Sequence, residues 1–345
     1  MATTAISKAE QSYIQTALLS DPPLRTDGRS LQDFRSVALE TGVAPLANGS
    51  ARISVGRDPH DGSGGTEVLA AVKVEVESVE EGGVDAGRIV CTVSCSPAAY
   101  PQLATAALED LQYDMTTIIH QTLSHPSLHP KNLRILPGKK SWLLNLDLIV
   151  LADSGNIYDA LFMAARAALW DTKIPRTRAV EYKARKGVAG STGVSAAVGK
   201  LGGSGDMDID EDTPSGFDTR QIQHAIDFEL PDYWDEGEVL DGRDTWPVCI
   251  TLNLVPPVHF LDAILREEAA APLKVLLIYS FPTSEKPRVQ GMRMLGPSEL
   301  TLEQIKDLVN RGEQYARNVS TALHTKLKDE DVRRNQKARE KFERR

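Results

Sequence analysis

The sequence predicts an α+β chain made of two β–α subdomains with mixed sheets, closed by a long C-terminal helix. Three observations predict it. Runs such as Glu67–Val76 and Trp142–Leu151 are almost continuously apolar or alternate apolar with polar, the pattern of buried and half-buried strands. Segments 101–123 and 156–171 carry apolar residues at helical spacing. The strands-then-helix order recurs from residue 246 onward without a close sequence repeat, so helices should cover sheets in both halves.

The elements follow in order. Ser7-Lys8-Ala9-Glu10 has the form of a capping box opening a helix through Tyr13, Ile14, Ala17 and Leu18, stopped by Pro22-Pro23. Two strands are expected in 36–56 around the turn-rich Pro45-Leu46-Ala47-Asn48-Gly49, then a polar hairpin loop at 57–65 and a strand over 67–76. The acidic Glu80-Glu81-Gly82-Gly83 loop leads to strand 88–95, where Cys91 and Cys95 share one face as small buried hydrophobes. A helix over 101–123, a strand over 141–151, the turn Asp153-Ser154-Gly155-Asn156 and an Ala-rich helix over 156–171 complete the first half. The Gly/Ser-rich and then acidic stretch 187–216 is too poor in apolar residues to order itself and reads as a disordered insertion. Strands at 246–254, 273–280 and 289–295 precede a helix to about 328, which Ser298 or Thr301 would cap. This divides the chain into an N-terminal helix (1–23), a first subdomain (24–186), the insertion (187–216), a second subdomain (217–328) and a charged tail (329–345).

Composition narrows the function. A formal net charge of −9 argues against a protein that coats nucleic acid by overall charge and predicts weak RNA binding by the lone chain. Three cysteines are too few for a disulfide framework and fit a reducing compartment. No apolar run approaches the roughly 20 residues that cross a bilayer. The stretch 326–345 carries nine Lys/Arg against five Asp/Glu, which reads first as a solvated helix.

Leu24-Arg25-Thr26-Asp27-Gly28-Arg29, Phe34-Arg35, Asn48-Gly49-Ser50-Ala51-Arg52, Leu128-His129-Pro130-Lys131-Asn132-Leu133, Trp142 and Leu146-Asp147 together resemble the RNase PH superfamily, whose fold is ribosomal protein S5 domain 2-like. The likeness covers about 24–185 and 218–325, and within the superfamily it is similar to ring subunits of the eukaryotic RNA exosome. It implies partners: other RNase PH-like ring subunits, S1/KH-type cap subunits, and RNA passing through an assembled channel, with no membrane. It also implies residence in nucleus, nucleolus and cytoplasm.

Active members of that superfamily are phosphorolytic exoribonucleases, with a Gly-x-Arg phosphate clamp and a set of acidic metal ligands. Matched to them, this chain has Pro137-Gly138-Lys139-Lys140-Ser141 before a strand, and lysine lacks the two-pronged grip of arginine. Asp262 and Glu268 keep the outer acidic spacing, but Ile264 and Arg266 stand between them, so they read as vestigial, and Glu267-Glu268 as a solvated loop. The expectation is a non-catalytic ring subunit with no catalytic residue, metal or cofactor. Its backbone-directed RNA contacts would come from Lys139, Lys140, Lys131, Arg134, Arg35 and Arg29, with Arg25 a further cation. Arg29, beside Asp27, has internal ion pairing as an equal reading, and so does Arg35. The alternative is an active phosphate-dependent 3′-to-5′ exoribonuclease. A nucleotide-binding protein of similar plan is disfavoured because no Walker or Rossmann glycine loop is present.

Overall fold

Thirteen-residue strands set the scale of the first sheet. The computed structural model describes residues 6–57, 64–79, 87–180, 227–230, 237–282 and 286–343. The expected insertion at 187–216 and the loop tips at 58–63 and 80–83 lie outside the described residues. Strand β1 (Val37–Thr41) pairs with β2 (Gly49–Val55), β2 with β3 (Thr66–Ser78), and β3 with β6 (Lys140–Ala152), all antiparallel. Strand β4 (Arg88–Cys95) lies parallel on the other side of β6. A parallel neighbour needs a crossover, and helix α2 (Thr105–Leu123) supplies it. Strand β5 (Arg134–Leu136) folds back on the first residues of β6. On β4, Cys91 and Cys95 are buried free thiols, both pushed up to about 12 by burial.

Helix α3 (Ile157–Asp171) follows β6 directly, and every residue from Ile157 to Trp170 is buried. Helical spacing in the sequence puts Ala160, Leu161, Ala164, Ala165, Ala168 and Leu169 on one face, for packing against a sheet. Instead the helix is enclosed all round, with the first sheet on one side and strand β11 (Val248–Val255) on the other. Its one basic side chain, Arg166, donates to Trp246 O (2.8 Å), Ser320 Oγ (3.1 Å) and Asp244 O (3.2 Å), and burial lowers its pKa to about 10. Ala51, Leu146, Leu161, Ile250 and Leu277 belong to one continuous core, so both halves fold around α3.

The second sheet is antiparallel, in the order β12 (Val258–Phe260), β11, β13 (Leu273–Ser280), β14 (Arg288–Leu295). Two short ladders, β7 (Lys173–Ile174) with β10 (Glu238–Val239) and β8 (Arg178–Val180) with β9 (Asp227–Glu229), join the halves. Helix α1 (Lys8–Leu18) is capped by Ser7, which accepts from Glu10 N (3.1 Å). The Glu10 carboxylate does not close the capping box but turns toward Arg266 (3.9 Å). Ile14 and Leu18 pack with Val255, Phe260, Ala263 and Ala270, so the N-terminal helix docks on the C-terminal half.

Helix α5 (Leu302–Glu343) is 42 residues long. Thr301 caps it reciprocally with Gln304 (2.9 and 3.3 Å). The helix passes the expected end at 328 because its last third has partners on the first half. Trp170 Nε1 donates to Asp331 (2.9 Å), and Arg334 pairs with Asp171 and reaches Thr41.

Candidate functional site

The acidic positions and the basic turn singled out in the sequence sit at opposite ends of β6. Its thirteen residues put roughly 40 Å between them.

At the far end, after Ala152, the chain turns through Asp153-Ser154-Gly155-Asn156 into α3. Gly155 has φ +98°, and a Cβ there would collide with the Ala263 carbonyl, so this turn is pressed against the segment carrying Asp262. Asn156 (φ +58°) and Asp262 (φ +45°) are the two non-glycine residues in the left-handed region among the described residues. Asn and Asp tolerate that region better than other side chains, and strain of this kind gathers at sites where surrounding structure over-determines the backbone. The two bond to each other, Asn156 Nδ2 to Asp262 Oδ1 at 3.1 Å.

Asp262 is buried beneath arginines. Arg35 donates from Nη2 to Oδ1 (2.7 Å) and from Nε (2.9 Å) and backbone N (2.6 Å) to Oδ2, and Arg29 Nη1 adds a bond to Oδ2 (2.9 Å). With Asn156, the carboxylate accepts five bonds, more than its roughly four lone-pair sites. Burial alone would raise the Asp262 carboxyl, but the Arg35 bonds and the Arg35 and Arg29 charges hold it below the usual range. Arg25 lies behind, its side chain fully buried. It grips both Glu267 oxygens (3.1 and 2.6 Å), donates to Leu261 O and Asp262 O, and stacks over Phe260 at 5.5 Å.

Glu268 occupies the start of α3. Its Oε1 accepts from Asn156 N (2.8 Å) and its Oε2 from Lys274 Nζ (2.7 Å). A helix N-terminus attracts anions, and here the chain supplies its own. Asp153 alongside accepts from Tyr100 (2.7 Å) and Gly155 N (2.8 Å), its carboxyl raised by burial and by the nearby Glu268 charge. The space between these side chains is a cavity of about 40 Å³ bordered by Tyr100, Asp153, Asn156, Glu268 and Lys274, no larger than a water or two requires. One helical turn on, Asp159 is fully enclosed and accepts from Thr251 (2.7 Å). Burial raises it to about 7, opposed by the Thr251 and Asn156 bonds. Among the described residues, no three His, Cys, Asp or Glu side chains are placed to share a metal ion.

At the near end of β6 the basic candidates gather. Lys131 precedes β5, Arg134 faces Ser141 across the β5–β6 ladder, and Lys139 and Lys140 form the turn, where Gly138 has φ +68°. Lys131, Arg134 and Lys139 are exposed. Lys140 pairs with Asp227 (2.9 Å) and lies over the Phe228 ring (5.1 Å), which meets Trp142 edge-on.

Several expectations are therefore corrected. Arg25 is an interior cation closed off from RNA, because its guanidinium is wholly inside the fold. Of the two readings left open for Arg29 and Arg35, the structure shows internal ion pairing, with Asp262 a partner of both. Glu267-Glu268 is not a solvated loop but part of helix α4 (Leu265–Ala270), with Glu267 buried. The Lys139-Lys140 turn does not stand beside Asp262 and Glu268, because β6 separates them. The residues that the sequence reading missed are Asn156, Asp153 and Lys274. Their one signal was Ser154-Gly155-Asn156, a turn opening directly onto the Ala-rich helix.

Residues 33–175 match the 3′ exoribonuclease family, domain 1, known as RNase PH. Over that stretch the chain is similar to the RNase PH family. A relative from Dictyostelium discoideum that carries the name exosome complex exonuclease RRP42 is 29% identical over 76% of this chain and 81% of that protein. The exosome complex component Rrp42 of Methanocella arvoryzae is 24% identical over 92% of this chain and 96% of that protein. A similar fold appears in a solved chain of the Archaeoglobus fulgidus exosome with RNA bound to the active site, at TM-score 0.62 and 19% identity, covering 91% of this chain and 97% of that one.

Proposed function

We propose that this chain is a non-catalytic ring subunit of an RNA exosome core. It assembles with other RNase PH-like subunits and S1/KH-type cap subunits and helps line the path of RNA undergoing 3′-to-5′ processing and degradation, ribosomal RNA maturation included. The relatives named for the exosome support the assembly. One observation carries the loss of chemistry: the groups that could receive a phosphate and a metal are bonded to one another. Glu268 covers the start of α3 and Asp262 is saturated by Arg29, Arg35 and Asn156. Phosphoryl transfer needs open cationic and metal positions around the transferring group. RNA would be held through its phosphates by Lys131, Arg134, Lys139 and Lys140. Residence in nucleus, nucleolus and cytoplasm belongs to the same proposal.

The test has two parts. Native mass spectrometry of the tagged protein purified from its own cells should show a complex of unlike chains, and a monomer or homohexamer would sink the ring reading. The isolated chain, given RNA, phosphate and magnesium, should release no nucleoside diphosphate. Release that requires phosphate, and that disappears in an Asp262→Asn chain whose circular dichroism shows it still folded, would establish the alternative, an active phosphate-dependent exoribonuclease.

A further inference from the structure

Strand β1 has β2 on one side and no strand on the other among the described residues. Ser36 O accepts from Gly56 N and Gly42 N donates to Ser50 O, both at 2.8 Å. Bonded and unbonded positions alternate along an antiparallel strand. Ala38 and Glu40 therefore face β2, and Val37, Leu39 and Thr41 turn their N–H and C=O groups outward. The Val37 carbonyl is touched by Lys326 Nζ (3.3 Å).

Beside that edge runs an apolar groove of about 290 Å³ between β1 and α5, floored by Phe34, Val37, Leu39, Met163, Val319 and Leu323. This is near the small end of ligand pockets, roughly 300 Å³ upward. Lys326 is its one charged lining residue, and it has no carboxylate within ion-pair distance among the described residues. An unpaired strand edge is a template for a further strand. Here the same two residues, Val37 and Leu39, present both the outward backbone and the apolar floor.

We propose that β1 and this groove bind an extended segment of another polypeptide by strand addition. Apolar side chains at alternate positions of the partner enter the groove, as strand periodicity requires. A carboxylate of the partner sits against Lys326, which moves from the Val37 carbonyl to that acid. The backbone gives the register, and the lysine selects acidic over basic segments. This site is separate from the ring reading, and it is tested on the isolated full chain, so either can fail without the other.

The test is hydrogen exchange read at single amides, with Ac-Asp-Val-Asp-Leu-Asp-Val-NH2 and Ac-Lys-Val-Lys-Leu-Lys-Val-NH2 as probes at about 1 mM. Without peptide, the Val37, Leu39 and Thr41 amides should exchange fast, while Ala38 and Glu40, bonded to β2, stay protected. The acidic peptide should slow the three outward amides at least about tenfold and the basic one should not. Lys326→Glu, a change at an exposed position that spares the core, should reverse the preference. The proposal is overturned if the acidic peptide leaves those amides unchanged, or if both peptides act alike on wild type and variant. It is also overturned if the amides are already protected in a self-associated chain, which would make a second copy the occupant.

Discussion

The two ends of strand β6 carry charge in opposite ways. At the Ala152 end, Glu267 pairs with Arg25, Asp262 with both Arg29 and Arg35, and the half-buried Glu268 with Lys274. At the Lys140 end, Lys131, Arg134 and Lys139 face solvent, and Lys140 pairs with an exposed aspartate. Charges enclosed without water must be paired, because an isolated one costs several kcal/mol. Charges in water bear no such constraint and remain able to exchange partners with a passing phosphate. The first end fastens the N-terminal segment, the α3 turn and the second sheet together, while the charges of the other end lie at the surface.

The contrast predicts stability effects of very different size. Asp262→Ala leaves Arg29 and Arg35 inside the fold without their carboxylate and removes the polar side chain that makes φ +45° tolerable at this position. It should lower the unfolding free energy by about 3–5 kcal/mol, read from urea denaturation. Lys139→Ala with Lys140→Ala should leave the urea midpoint in place. Equal destabilisation at both ends would break the comparison.

The next effect is a pH dependence. Asp159 has its pKa raised to about 7 in the fold from an ordinary 3.8, so the folded state binds the proton more tightly than the unfolded state. Its contribution is complete below about pH 4 and is lost as pH rises through 7. Over that window the cost is of order 2–4 kcal/mol. Asp159→Asn should flatten the decline in thermal midpoint between pH 4 and 7. Asp262 acts with the opposite sign. Its lowered pKa gives stability that is present above the unfolded value near 3.8 and lost as pH falls further. A variant that keeps the full pH 4–7 slope would show that Asp159 is not its source.

A smaller change is expected at the tail. Ending the chain after Lys328 removes the Asp331 acceptor of Trp170 Nε1 and the Arg334 partner of Asp171. The loss should be about 1–2 kcal/mol, with faster hydrogen exchange around Thr172. The smallest stability effect and the clearest binding effect belong to the open end. In the assembled complex, Lys139→Glu with Lys140→Glu should weaken RNA binding uniformly across sequences. It should also make the salt slope shallower by roughly 0.7 for each phosphate that the lysines no longer neutralise. An unchanged slope would remove these lysines from the RNA path.

Much of this was legible in the residues. Alternation along 67–76 and 141–151 marked β3 and β6 to within a residue or two, because the strand period is written into the side chains. Ser7 and Thr301 marked helix starts because capping is local. The Asp27–Arg29 pair, two residues apart, is legible as one of two readings of Arg29. The partners of Asp262 are not, since Arg35 lies 227 residues away in sequence. The enclosure of α3 was also hidden, because a small-residue face shows that a helix packs closely without showing that its other face is covered as well.

By itself the sequence determined the element order, the two strands-then-helix halves and the family likeness, all of which rest on short-range periodicity and local motifs. Only the tertiary structure decided which charges are available. Whether an arginine is a structural pin or a hand for RNA depends on what surrounds it across hundreds of residues, and solvent exposure is a property of the assembled fold. For the same reason the acids and the lysine turn, which read as parts of one site along the chain, were separated by the length of a single strand.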